Sequence, residues 1–188
     1  MSDFEFVFSL FGLLLGLGLA EVLGGFGTAI QSRRKVRIGW LTPLLGALVA
    51  LDLTSFWMVA WSVRELVPAH YVSLLGGLII MGTYYMIARI SFPDDADEWP
   101  DYDAYYFEVR QWVLGGIVIC NFIAIGTLLS LGAQPLESAA NRWSLLLFIP
   151  ALGAAMFVRD KRVNVVLLLL LVVQYPLVAV LGFAGVGR

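Results

Sequence analysis

Two acidic residues stand inside otherwise apolar runs, and they are the natural starting point for any chemistry. Glu21 lies in Gly18-Leu19-Ala20-Glu21-Val22-Leu23, and Asp52 in Ala50-Leu51-Asp52-Leu53-Thr54. In a bilayer a carboxylate costs about 2.5–3.5 kcal/mol on insertion scales. Such a group is retained when it is protonated, faces water, binds a cation or meets a partner's basic group. Taking ~1.5 Å of rise per residue, Glu21 falls roughly 5 Å to the cytoplasmic side of the midplane and Asp52 roughly 2 Å beyond it. On adjacent antiparallel helices the two carboxyls would come within reach of a shared proton or cation. The plainer reading is a neutral carboxyl hydrogen-bonded to a neighbouring helix.

Other apolar runs carry polar groups near the same level: Thr54 and Ser55, Thr83, Tyr84 and Tyr85, Asn121, and Gln174 followed by Tyr175-Pro176. Interhelical hydrogen bonds, worth ~0.6 kcal/mol each, would account for them. A pathway for protons or small cations through Glu21, Asp52, Tyr84, Asn121 and Gln174 is the functional reading.

A third feature is the stretch from Asp94 to Asp103, with six carboxylates in ten residues. A solvated acidic loop is the plain reading. A weak divalent-cation site at Asp94, Asp95, Asp97 and Glu98, or a docking loop for a soluble partner, is the sharper one. The loop lacks the glycine and spacing of an EF-hand. Asp94-Asp95-x-x-Glu98 loosely resembles the Asp-rich motifs of membrane prenyltransferases. Those enzymes need a second such motif and more helices, and the chain offers only Asp160 in a basic turn. One histidine, His70, and one cysteine, Cys120, leave no disulfide framework, no thiolate cluster and no Ser–His or HExxH pattern. No cofactor is expected beyond the weak cation.

The elements that must position these groups follow from composition. The 188 residues are 60% hydrophobic and 14% charged, against about 25% charged in soluble domains. Twelve Lys+Arg against 14 Asp+Glu give no basic footprint for nucleic acid. The expected fold is all-α, a polytopic membrane protein with a single transmembrane domain over 1–188. A span needs about 20 apolar residues, and six stretches qualify: about 6–30, 40–63, 70–90, 112–133, 143–158 and 163–184. The runs are continuously apolar, unlike the alternation of a barrel strand. Tyr102, Tyr105, Tyr106 and Val109 recur at helical spacing and predict a short interfacial helix in the third loop.

Basic residues set the orientation. Arg33, Arg34, Lys35, Arg37, Arg89, Arg110, Arg159, Lys161 and Arg162 fall on one side, and Arg64, Arg142 and Arg188 on the other. Nine against three puts the first group in the cytoplasm and both termini outside, as for a bacterial inner-membrane protein. The N-terminal residues lack the basic region of a cleaved signal peptide. Gly12, Gly16, Ala20 and Gly24 form a small-residue face at four-residue steps, suited to helix packing inside the chain or to a homo-oligomer seam. Pro43-Leu44-Leu45-Gly46-Ala47 echoes Pro150-Ala151-Leu152-Gly153-Ala154, which raises the question of a three-plus-three repeat. The functional expectation is a small transporter or channel for protons or small cations. The alternative is a non-catalytic accessory or assembly subunit, with a partner membrane protein meeting the two acids.

Overall fold

A computed structural model describes residues 3–62, 65–66, 70–95, 98–130, 132 and 139–186. The chain is all-helical: α1 (Asp3–Ser32), α2 (Leu41–Ser62), α3 (Tyr71–Arg89), α4 (Tyr102–Ser130), α5 (Ala139–Phe157) and α6 (Lys161–Val186). Five of the six are long and apolar enough to cross a membrane, and α5 has a shorter apolar stretch, Arg142–Phe157. Unbroken apolar sequence favours helices because each satisfies its backbone hydrogen bonds internally. Trp40, Trp112, Trp143, Leu146 and Val180 are among the large apolar side chains left outward, as expected of a protein whose surrounding medium is lipid.

The helical spacing at Tyr102, Tyr105, Tyr106 and Val109 is present, but not as a separate interfacial helix. These residues form the first turns of α4, which runs unbroken to Ser130.

α2 is the centre of the bundle. It packs against α1, α3, α4 and α6, while α1–α3, α3–α4, α4–α5 and α5–α6 complete an arc around it. Among the described residues α1 and α6 do not meet, and α2 keeps exposed residues, including Thr54 and Met58. Among the described residues α5 touches α4 and α6 and no other helix. A three-plus-three repeat would make α2 and α5 equivalent, and they are not. Gly46 of the echoed motif lies against the Phe92 ring, whereas the matching Gly153 has open space around it.

The three turns at the basic end are tied by polar contacts. α2 begins after Gly39-Trp40 with no local capping side chain. The cap comes from α4: Asp103 Oδ1 accepts from the backbone N–H of Trp40 at 3.0 Å and of Leu41 at 2.8 Å. Gly39 has φ +66° and lies directly against the Asp103 carboxyl, where a side chain would collide. Thr42 Oγ1 donates to the Tyr102 carbonyl at 2.5 Å, the Tyr102 N–H donates to the Arg37 carbonyl at 3.0 Å, and the Arg37 N–H donates to the Pro100 carbonyl at 2.8 Å. Lys161, at the start of α6, forms an ion pair with the other Asp103 oxygen. A carboxylate at a helix N-terminus also gains from the helix dipole. Arg110, 5% exposed, closes the opposite kind of end. It donates to the Ala155 and Val158 carbonyls at the C-terminus of α5 and stacks over the Phe107 ring. Asn164 Nδ2 donates to the Val158 and Asp160 carbonyls, and its Oδ1 accepts from Tyr106.

Candidate functional site

Asp52 is 1% exposed, on the inward face of α2. Its carboxyl is contacted from three other helices. Tyr84 of α3 donates to Oδ2 at 2.6 Å, and Tyr175 of α6 donates to Oδ1 at 2.7 Å. Asn121 of α4 presents Nδ2 at 3.3 and 3.2 Å to the two oxygens and at 3.4 Å to the Tyr84 hydroxyl. Four helices are thereby joined at one carboxyl. All three partners are neutral, and no basic side chain pairs with Asp52 among the described residues. The walls are apolar and aromatic: the Phe56 ring packs edge-on to Tyr84 at 4.8 Å, and Phe148 packs against Tyr175 at 6.2 Å.

The helices place these groups in simple ways. Tyr84 is inward because α3 turns its face of Gly77, Met81, Tyr84 and Ala88 to the core, at the three- and four-residue steps of one helical side. Tyr175 immediately precedes Pro176, which lies inside α6. Proline has no N–H for the carbonyl of Val172 four residues back, so the helix is locally weaker where Tyr175 reaches across. Ser55 is turned to its own chain, donating to the Asp52 carbonyl oxygen at 2.7 Å. Thr54 and Thr83 likewise donate to backbone carbonyls four residues back.

Of the expected pathway residues, Asp52, Tyr84 and Asn121 are brought together, and Glu21 and Gln174 are not. Gln174 is buried, but it makes no contact with the Asp52 carboxyl, and its Oε1 has no hydrogen-bond partner. Its neighbour Tyr175 takes the place expected for it. Glu21 points elsewhere. It accepts from the Tyr85 hydroxyl at 3.3 Å and faces Arg89 Nε at 3.8 Å. The expected sharing of a proton or cation between Glu21 and Asp52 is therefore corrected: each acid has its own set of partners. Nor is Glu21 without a basic group, since the long side chain of Arg89 reaches back from the end of α3.

Glu21 lines a separate open cleft of about 350 Å³ at the basic end, with Ala20, Gly24, Gly25 and Thr28 of α1 on one side and Arg89, Phe92, Pro93 and Asp94 on the other. Arg89 is also paired with Asp94. Phe92 seals the inner wall, its ring inserted against Gly25 and Gly46 and 5.0 Å from the Phe26 ring.

The acidic loop does not gather into a metal centre among its described residues. Asp94 is held by Arg89, Asp95 and Glu98 are exposed, and Asp97 lies outside the described residues. No group of three or more His, Cys, Asp or Glu residues suited to a metal ion occurs among the described residues. Asp101 and Asp103, at the far end of the acidic run, serve the turn instead: Asp101 Oδ1 accepts from the Asp103 N–H at 2.9 Å.

The expected small-residue face on α1 is corrected in part. Gly12 lies against the Trp57 ring, but Gly16 and Gly24 have nothing of the chain near them and Ala20 is exposed. The close contacts of α1 fall at Gly18, against Leu53 of α2 and the Tyr85 backbone of α3, and at Gly25, against the Phe92 ring of the loop after α3. Cys120 is buried and directed at the Ile80 carbonyl, with Sγ at 3.7 Å. His70 is exposed at the start of α3.

Sequence reasoning missed Tyr175, Asp103, Arg110, Lys161 and Asn164. The absent capping residue before α2 was a usable signal for Asp103: an apolar helix starting at Leu41 after Gly39-Trp40 must take its cap from elsewhere. Comparison with family profiles, with curated proteins and with solved structures finds no match to this chain.

Proposed function

We propose that the protein is a small proton-translocating membrane protein with six spans, of the kind found in bacterial inner membranes, both termini on the non-cytoplasmic side, and that Asp52 is its proton-carrying group. The observation that carries this reading is the Asp52 carboxyl, buried at the crossing of four helices and met by neutral donors alone. An anionic carboxyl without a counter-cation relies on the donated hydrogen bonds of Tyr84, Tyr175 and Asn121. A protonated carboxyl has an O–H of its own to donate. One of the tyrosine hydroxyls must then turn to accept, or withdraw. Protonation thus changes how α3 or α6 is held to α2, which couples loading of the site to helix arrangement. Hydroxyl and amide donors suit a proton better than sodium or potassium, which require several oxygen acceptors. Glu21 is outside this site and is not assigned a part in it.

The test is proton flux in liposomes under an imposed pH gradient and voltage. The wild type is expected to conduct protons, and Asp52→Asn to abolish flux while the protein stays folded. Wild-type liposomes that remain tight overturn the proposal.

The second reading, an accessory subunit of a larger membrane assembly, is favoured by one observation. α1 leaves its Gly16–Ala20–Gly24 face unpacked, and small residues let a foreign helix approach closely. Tight liposomes together with co-purification of a membrane partner would select it.

A further inference from the structure

The cleft around Arg89 is independent of the Asp52 site, and its chemistry points to a ligand. Its charged lining consists of one guanidinium between two carboxylates: Arg89 faces Glu21 at 3.8 Å and is paired with Asp94 on the other side. The Arg89 side chain is half exposed, Asp94 more so, and Glu21 less. Half of the Arg89 side-chain surface is open, so its two carboxylates do not close it off from the cleft. The set carries one positive and two negative charges. An anion alone would meet Arg89 together with one carboxylate too many. A ligand bearing both a phosphate and a primary ammonium matches the set: phosphate on Arg89, ammonium between Glu21 and Asp94. Thr28 adds a hydroxyl on the same wall.

The cleft continues into a strip on α1. Ala20 and Gly24 belong to its lining, and Gly16 lies one turn further along the same face. A side-chain carbon added at Gly16 or Gly24 would meet nothing of the chain. From Gly24 to Gly16 the strip runs about 12 Å along the helix axis. One leaflet of a bilayer core is roughly 15 Å deep. The strip starts at the charged cleft and runs from the basic end toward the middle of the bundle.

We propose that this cleft binds a phospholipid with an ethanolamine headgroup, seated on Arg89, Glu21 and Asp94, with an acyl chain lying along Gly24, Ala20 and Gly16. Ethanolamine is favoured over choline because a quaternary ammonium has no N–H to donate to the carboxylates. It is favoured over glycerol because that headgroup adds no positive charge. The shared headgroup chemistry also belongs to free phosphoethanolamine, and the strip of small residues selects the lipid.

The experiment is native mass spectrometry and thermal unfolding of the detergent-solubilised protein with dioleoyl phosphatidylethanolamine, phosphatidylglycerol, phosphatidylcholine or free phosphoethanolamine. The ethanolamine lipid is expected to be retained and to raise Tm beyond the other three. Glu21→Gln and Arg89→Gln should each weaken its retention about tenfold, as loss of a charged hydrogen bond does. Gly16→Leu fills the strip beyond the cleft lining, and Gly24→Leu fills it where strip and cleft meet. They should also weaken retention and leave the lipid-free Tm unchanged, which keeps the test valid if the charge variants fold poorly. Equal retention of phosphatidylglycerol overturns the headgroup assignment. Protection by free phosphoethanolamine as strong as that by the lipid, or retention unmoved by both leucine variants, overturns the acyl-chain assignment.

Discussion

Tyr84 and Tyr85 are consecutive on α3, yet their hydroxyls go to different carboxylates: Tyr84 to Asp52 at 2.6 Å and Tyr85 to Glu21 at 3.3 Å. Successive residues on a helix point ~100° apart. That angle separates a sealed site within the bundle from an open cleft on its side. The two acids that look alike in the sequence have different neighbours, different access to solvent and different expected chemistry.

Their independence can be measured by double-mutant cycles on unfolding in mild detergent. Asp52→Asn and Tyr84→Phe share a hydrogen bond and should couple by about 1–2 kcal/mol, as should Asp52→Asn and Tyr175→Phe. Asp52→Asn and Glu21→Gln should add within about 0.5 kcal/mol. A large coupling between the two acids would restore a shared site.

Asp103 should matter to stability as much as a core residue, despite lying in an acidic run. Asp103→Ala removes the cap of α2 and strands Lys161, with an expected loss of about 1–2 kcal/mol from the cap alone. Asp101→Ala, which loses one local turn bond and an exposed 3.9 Å ion pair with Arg37, should cost less. Thermal melts followed by tryptophan fluorescence would rank the two, and equal effects would argue against a special cap.

Orientation is testable with impermeant maleimide on intact cells, in a background where Cys120 is replaced. Cysteines at Arg34 and Glu98, both exposed at the basic end, should resist labelling from outside. A cysteine at Glu65, exposed between α2 and α3, should be labelled. Reversal of that pattern would invert the protein and move the Arg89 cleft to the outer face. Ser91 is unsuitable as a reporter, since it is fully buried and bonded to the Ile87 carbonyl.

The helical architecture was readable because apolar runs of span length admit few alternatives. Depth along each helix was readable too: Asp52, Tyr84 and Asn121 do meet. What failed was azimuth. Rise per residue put Glu21 and Asp52 near one level, but nothing in the sequence told which side of α1 faces α2. The four-residue spacing of Gly12, Gly16, Ala20 and Gly24 marked a packing face for the same reason, while the contacts fall at Gly18 and Gly25. Gln174 lost its place to Tyr175 by one residue, which on a helix is a different direction. The polar knot at the basic end was hidden differently. Arg110 and Lys161 read as charges that set orientation, and Asp103 as one more acid in a loop, because each one's partner is distant in sequence.

The cap on α2 makes its start depend on residues far along the chain. The Trp40 and Leu41 amides are satisfied by a residue of α4, and that residue is braced by one of α6. The turn between α1 and α2 makes backbone bonds of its own, such as Val36 N–H to the Ser32 carbonyl, but leaves the first amides of α2 to a residue of α4. Until α4 supplies Asp103 and α6 supplies Lys161, those amides depend on water for a partner. α6 therefore braces the start of α2 through Asp103, and a chain truncated before α6 should be weakened at the distant turn that precedes α2.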